Sequence, residues 1–532
     1  MLKTEQSKHY FKKYIMSNKF HRRSDAKDVR IRNAEFEFQK EHPQQTNNGD
    51  EIRYGNENYF ANFTKGLPHP NPLGEVAPAA YEQLVLATQS GVHTEYENIP
   101  MGFLNGRKLT NPQAGWGFDT EGGDAQSYAI PPAPRFSSAE VAAEMVELYW
   151  MALTRDVCFS NYGTDADIQS AINDLNTMSN YRGLGPAAGK VNSRNIFRGA
   201  SPGDRKGPYL SQFLLLDIPF GSLCIEQRQK TASTGVDYLT LYNEWLDAQR
   251  GKNLAIAYNP CSVLATDAGV YDPQRKYIRN LRDLATYVHF DALYEAYLNA
   301  CLILLGMNAP FDKGNPYNNS KSQVGFATFG GPHILSLVTE VATRALKAVW
   351  YQKWNVNRRL RPEAFGGRVH NHITGAKAYP IHSDLLTANA LLETNTRFGS
   401  YLLPQAFPEG SPIHPAYGAG HATVAGACVT ILKAWFDESF EIPNPVVASC
   451  DGLSLVPYTS ADKLTVGGEL NKVAANIAIG RNAGGVHYWT DYTASLKLGE
   501  DIAISILEEQ KETYSESGYF GLYKFDGTAI KI

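Results

Sequence analysis

The chain lacks a long apolar run. No stretch of about 18 apolar residues occurs in its 532 residues, so no membrane span is expected. The longest such run, Ala300 to Met307, reads as a buried helix. The amino-terminal Met-Leu-Lys-Thr-Glu-Gln-Ser-Lys has neither an apolar core nor a small-residue cleavage site. No signal peptide is therefore expected, and the localisation reads as cytoplasmic or undetermined. Excess charge is missing too: the net charge is −4, which argues against nucleic acid or an acidic membrane as a bulk partner. Cysteine is scarce. The six, at 158, 224, 261, 301, 428 and 450, include no CxxC pair, so neither a zinc nor a thioredoxin site is indicated. A reduced, cytosol-like set is expected, with cysteines such as Cys301 serving as small core residues. Strand signals are few and short, and no internal repeat occurs.

What is present is helical periodicity. Ser137-Ser138-Ala139-Glu140 opens a helix with capping residues and an early acid, and apolar positions then recur at helical spacing. Similar patterns cover 236–250, 278–307 (one long helix or two short ones), 333–360, 383–398, 421–437, 464–481 and 487–510. These predict an all-α helical-bundle fold. Residues 1–95 differ: Lys3 to Arg32 is basic, Gln44 to Asn58 is polar, and Pro68-His-Pro-Asn-Pro-Leu-Gly fits no helix or strand. This part reads as an arm, partly extended, either solvated or draped on a neighbouring subunit, ahead of a catalytic domain over 96–532. The Gly/Asn/Asp-rich loop Asn308–Gln323 is a candidate for a structural Ca2+ or other divalent cation, against the plainer reading of a surface loop.

Three segments carry chemistry. The first is His414-Pro-Ala-Tyr-Gly-Ala419-Gly420-His421, a turn feeding an apolar helix. A helix start offers unpaired N–H groups and partial positive charge, which bind an oxyanion, and Gly420 lets the backbone approach it. A dinucleotide loop would need a third glycine where Thr423 stands. An ordinary helix start with incidental histidines fits the turn taken alone. The second segment is Trp350-Tyr-Gln-Lys353-Trp-Asn-Val-Asn-Arg358-Arg359-Leu-Arg361-Pro362. On an ideal helix Lys353 and Arg361 stand about 80° apart. Proline at 362 disfavours helical geometry at Arg361, which leaves it free to turn back toward Lys353. Arg358 and Arg359 read as a charged helix C-terminus, favoured by the dipole. The third segment runs from Arg481 through Gly484-Gly485 to His487 and Asp491. His487 is expected in the first turn of the last long helix, kept neutral, with Asp491 orienting its other ring nitrogen. Together they supply three cations, one helix start and two imidazoles, a set suited to a tetrahedral oxyanion.

This set resembles the vanadium-dependent haloperoxidases, whose site architecture is shared with the type 2 phosphatidic acid phosphatases. The motifs are Lys353 with Arg361-Pro362, Ala419-Gly420-His421, and Arg481 with His487 and Asp491. The eight-residue step from Lys353 to Arg361, the extra His414, and stretches such as Glu147-Leu-Tyr-Trp-Met-Ala-Leu-Thr-Arg-Asp resemble the algal bromoperoxidase branch. The resemblance spans roughly 95–510. It implies vanadate bound through His487 as the one protein–metal bond, with Lys353, Arg361, Arg481 and the Gly420 N–H neutralising its oxygens. It implies His421 as acid–base partner, Lys353 polarising peroxide, and His414 beside the reaction centre. Hydrogen peroxide and a halide ion would yield hypohalous acid for a small organic acceptor, and a homo-oligomer is expected. Two positions depart from the family. Ala419 replaces a serine, removing a hydroxyl bond worth roughly 1.5–3 kcal/mol. Trp350 stands where algal members carry arginine and fungal chloroperoxidases tryptophan. With His414 it occupies the halide-selectivity positions, so bromide oxidation is predicted with chloride oxidation possible. A phosphatase using His487 as nucleophile, and a decayed oxyanion-binding protein, are the alternatives.

Overall fold

A computed structural model describes residues 22–185, 190–261 and 269–532. The basic segment from Lys3 lies outside the described residues up to position 21. From Arg22 it forms an exposed helix, α1 (Arg22–Gln39), none of whose residues is buried. The other long helices, in chain order, are α2 (Pro78–Ser90), α3 (Ala139–Leu153), α4 (Ala166–Leu175), α5 (Tyr242–Gln249), α6 (Leu281–Phe290) and α7 (Glu295–Gly306). They continue with α8 (Gly331–Tyr351), α9 (Pro362–Ile373), α10 (Asn389–Phe398), α11 (Gly420–Trp435), α12 (Val466–Ala483) and α13 (Trp489–Lys511). The strands described form two-stranded antiparallel pairs. The all-α expectation therefore holds.

The core is built round α11. Its small apolar sequence leaves every residue buried except His421, and it packs against α8, α12 and α13. Glycine permits the closest of these contacts. A Cβ added at Gly426 would lie 2.0 Å from the Leu496 carbonyl oxygen, and one at Gly499 would lie 2.0 Å from that of Thr423. Backbone thus meets backbone between α11 and α13, which no larger side chain would allow.

Three local features shape the site. The 278–307 pattern resolves into two helices, α6 and α7, bent by 100° at Asp291 to Tyr294. The predicted 333–360 helix does not stay ideal: it widens into a π-turn over Gln352–Asn357 and ends at Arg358, whose φ of 40° is left-handed. The ideal-helix angle between Lys353 and Arg361 therefore does not apply. Arg361 then takes an extended conformation as N-cap of α9, with Pro362 opening the helix. The stretch from Phe63 to Ile99 packs a satellite cluster against Trp354 and Ile413, neighbours in sequence of Lys353 and His414.

The cysteine expectation is corrected at one pair. Cys158 and Cys450 form a disulfide between Cα atoms 5.7 Å apart, across a sequence separation of 292 residues. No local spacing could have announced it, because only the fold brings the loop after α3 to the turn of the Val446–Pro457 hairpin. Cys301 and Cys428 are buried free thiols as expected, and burial pushes Cys301 up to about 12. No single described helix is long and apolar enough to cross a membrane.

Candidate active site

The three segments meet where α8, α11 and α12 end or begin. Arg361 is the hub. Its Nε donates to the His414 carbonyl at 2.8 Å, and Nη1 donates to the Val486 carbonyl at 2.7 Å. Nη1 also lies 3.0 Å from His487 Nε2, and Nη2 lies 2.9 Å from His414 Nδ1. Lys353 Nζ donates to the carbonyls of Pro415 and Ala416 at 2.8 and 3.2 Å. Arg481 donates through Nη1 to the Val288 carbonyl at 2.8 Å, while its Nε is buried without a hydrogen-bond partner. All three cations are buried, and among the described residues none of them pairs with a carboxylate. Burial pushes Lys353 well below its ordinary value, with Arg361 and Arg481 adding to it and Asp491 opposing. Burial also pulls Arg361 down to about 9 against the opposing charge of Asp491, and Arg481 to about 10 against Asp291 and Glu409.

The histidines are held neutral for the same reason. Desolvation lowers His487 far below the usual imidazole range, with Arg361, Lys353 and Arg481 adding to it. His414 is lowered strongly by burial, Lys353 and Arg361. His487 Nδ1 donates to Asp491 Oδ2 at 2.8 Å, which assigns the proton to Nδ1 and the lone pair to Nε2. One expectation needs correction: α13 begins at Trp489 with Tyr488 as N-cap, so His487 precedes the helix and does not sit in its first turn. Asp491 is instead the residue in that turn, and its carboxylate also accepts from the Tyr488 N–H at 3.1 Å.

His421 occupies the first turn of α11. Its Nε2 lies 3.1 Å from Asp291 Oδ1, and its side chain is 18% exposed against 2% for His487. Burial lowers its pKa while Asp291 partly restores it. His421 is thus the imidazole that faces outward. Ala419, the N-cap, has no side chain to accept the first helical N–H groups, and its own N–H donates to Ser495 Oγ at 2.7 Å. A Cβ at Gly420 would meet the Trp350 ring at 3.2 Å. The Trp350 ring in turn lies 4.9 Å from His414 and 5.7 Å from Lys353 Nζ, its Nε1 donating to the Thr110 carbonyl at 3.0 Å.

Sequence reasoning missed four participants. Asp291 lies in the break between α6 and α7, where no motif marks it. Ser495 and Glu144 sit within helical apolar patterns. Arg359 is no helix C-terminus: it bonds Asp491, Thr490 and Glu144, and Arg358 pairs with Glu51. In the loop 308–323, Asp312 Oδ1 accepts from the Gly314 N–H at 2.8 Å and Asn315 Oδ1 from the Tyr317 N–H at 2.9 Å. Among the described residues no group of three or more His, Cys, Asp or Glu is gathered for a metal ion.

A helical bundle that gathers three buried cations, neutral imidazoles and an uncapped helix start has a donor set suited to an oxyanion. Residues 334–516 match the family model described as the VCPO second helical-bundle domain. The vanadium-dependent bromoperoxidase of Corallina officinalis is 41% identical, covering 95% of this chain and 97% of its own. That of Ascophyllum nodosum is 35% identical, covering 91% and 88%. The homohexameric structure of the second vanadate-dependent bromoperoxidase of Ascophyllum nodosum superposes with a TM-score of 0.88, at 29% identity, over 97% of this chain and 91% of that one. The chain belongs to the vanadium-dependent haloperoxidase family.

Proposed function

We propose that this chain is a vanadate-dependent haloperoxidase that uses hydrogen peroxide to oxidise bromide, and also chloride or iodide, to hypohalous acid that halogenates a small organic acceptor. The observation that carries the reading is the set of cations: Lys353, Arg361 and Arg481 are buried together, and among the described residues none of them forms an ion pair with a carboxylate. A multiply charged oxyanion satisfies such a pocket, and Arg481 Nε is a donor waiting for one. Vanadate fits this donor set: His487 Nε2 would hold it, and the Gly420 N–H would be among its hydrogen-bond donors. When bound it would act as a Lewis acid toward peroxide.

The chain's own residues do the rest. Asp491 holds the Nδ1 proton of His487, so Nε2 stays a lone-pair donor. His421, oriented by Asp291, takes a proton at Nδ1 as hydrogen peroxide enters and returns it as product leaves. Lys353 polarises the peroxide through Nζ. Trp350 and His414 shape the halide side. The described stretch from Phe63 to Ile99 packs behind the pocket against Trp354 and Ile413, and we also infer a homo-oligomer, as in the homohexameric relative. A cation in the 308–323 loop is not part of this reading, since Asp312 Oδ1 and Asn315 Oδ1 already accept N–H groups of the loop, while Asn315 Nδ2 donates to the Phe329 carbonyl and the Tyr317 hydroxyl to Glu516.

The test is halogenation of a dione by apoprotein given peroxide and bromide, with and without orthovanadate. Vanadate-dependent turnover is expected. Absence of bromide oxidation at every vanadate loading overturns the reading, and phosphate-ester hydrolysis by the apoprotein would replace it with the phosphatase.

A further inference from the structure

Arg359 stands two residues before Arg361 yet serves a different set of partners. Its Nη1 donates to Asp491 Oδ1 at 2.7 Å and to Thr490 Oγ1 at 2.8 Å. Its Nη2 donates to Glu144 Oε2 at 2.9 Å. The guanidinium lies over the Tyr488 ring, 3.9 Å from its centroid. Glu144 closes the cluster by accepting the Thr490 N–H at 2.6 Å. Arg359, Glu144 and Asp491 are all buried. The Arg359 carbonyl also accepts the Ala416 N–H at 3.1 Å, and Ala416 is one of the two carbonyl partners of Lys353.

The consequence concerns Asp491. Its two oxygens face opposite ways in function: Oδ1 is taken by Arg359, while Oδ2 takes His487 Nδ1–H and Tyr488 N–H. A carboxylate with one oxygen fixed cannot rotate away from the imidazole. The ring is thereby locked in angle and tautomer, with Nε2 toward the cation pocket. Lysine cannot reproduce this, because it has neither a planar fork for Asp491, Thr490 and Glu144 together nor a flat face for Tyr488.

We propose that Arg359 is a positioning residue for the vanadate ligand, acting through Asp491 on His487. The inference rests on the function proposed above. Groups that orient a metal-binding histidine typically change metal affinity by about 10–100-fold when lost.

Orthovanadate and orthophosphate binding to apoprotein, by equilibrium dialysis, tests it. Arg359→Lys is expected to weaken vanadate binding about 10–100-fold. Phosphate, which needs the cations but forms no bond to the His487 lone pair, is expected to weaken by less than about threefold. In an Asp491→Asn background the Arg359→Lys change should cost nothing further. Unchanged vanadate affinity, an equal loss for phosphate, or full additivity with Asp491→Asn overturns the proposal. Should Arg359→Lys fail to fold, Glu144→Gln loosens the same guanidinium and must weaken vanadate binding only when Asp491 is intact. If the unaltered apoprotein binds vanadate no more tightly than phosphate, the proposed function itself falls, a result distinct from all of these.

Discussion

The rings of Trp350 and His414 lie 4.9 Å apart, tilted by 40°. Lys353 Nζ stands on the same indole, 5.7 Å from its centroid. The tryptophan therefore presents an uncharged face beside the pocket. Trp350→Arg adds a cation within reach of an entering halide. The KM for bromide is expected to fall several-fold, with the gain shrinking as ionic strength rises. A KM that neither moves nor depends on salt would sink the idea that this face tunes halide entry.

Ala419→Ser places a hydroxyl at the N-cap of α11. Two gains are open to the hydroxyl: capping the helix, worth about 1 kcal/mol, or bonding the bound oxyanion, worth roughly 1.5–3 kcal/mol. Vanadate affinity is expected to rise about tenfold or more, read by titration of the apoprotein. If thermal stability rises and affinity does not, the hydroxyl has taken the capping role.

The acid limb of the pH profile is expected to report His421. Burial holds it below the ordinary value of 6.5, and Asp291 acts in the opposite direction. The ring accepts a proton only when neutral, so kcat/KM should fall as pH drops through its lowered pKa. Asp291→Asn removes the raising influence. The acid limb should then move to lower pH, while kcat falls because the ring loses its orientation. A limb that stays in place assigns the proton transfer to another group.

The apoprotein should be acid-labile. His414, His421 and His487 all have folded values below the unfolded 6.5, so the unfolded chain binds more protons in that window. Their contribution is complete above about pH 6.5 and is lost as pH falls through the folded values. Denaturant titrations of apoprotein at pH 7.5 and 5 should show lower stability at pH 5, and a flat profile would contradict the assignments.

Anion binding should stabilise the fold. At an anion concentration 100 times Kd, the gain is about 2.7 kcal/mol. Thermal unfolding with and without orthovanadate measures it. The shift should vanish in Arg481→Ala if the unpartnered Nε of Arg481 is part of the cradle.

The helix pattern and the three segments that carry chemistry were legible because each is local: proline at 362, the glycines at 420 and 484–485, and the four-residue step from His487 to Asp491. What stayed hidden is non-local. Asp291 reaches His421 across 130 residues, and only because α6 and α7 bend sharply apart. Arg359 read as a dipole-favoured terminus because its partners, Glu144 and Asp491, lie 215 and 132 residues away. The turn beginning at Arg358 re-aims the chain after a π-turn that no periodicity announces. The Cys158–Cys450 link was invisible for the same reason.

The contact between α11 and α13 has a meaning beyond packing. His421 stands at the head of one helix and His487 just ahead of the other, while Gly426 and Gly499 let the two main chains touch further along. The separation of the two imidazoles is thus gauged by side chains that are not there. A single methyl group at either glycine would wedge the helices and change that spacing from a distance, with every reacting residue still in its place in the sequence.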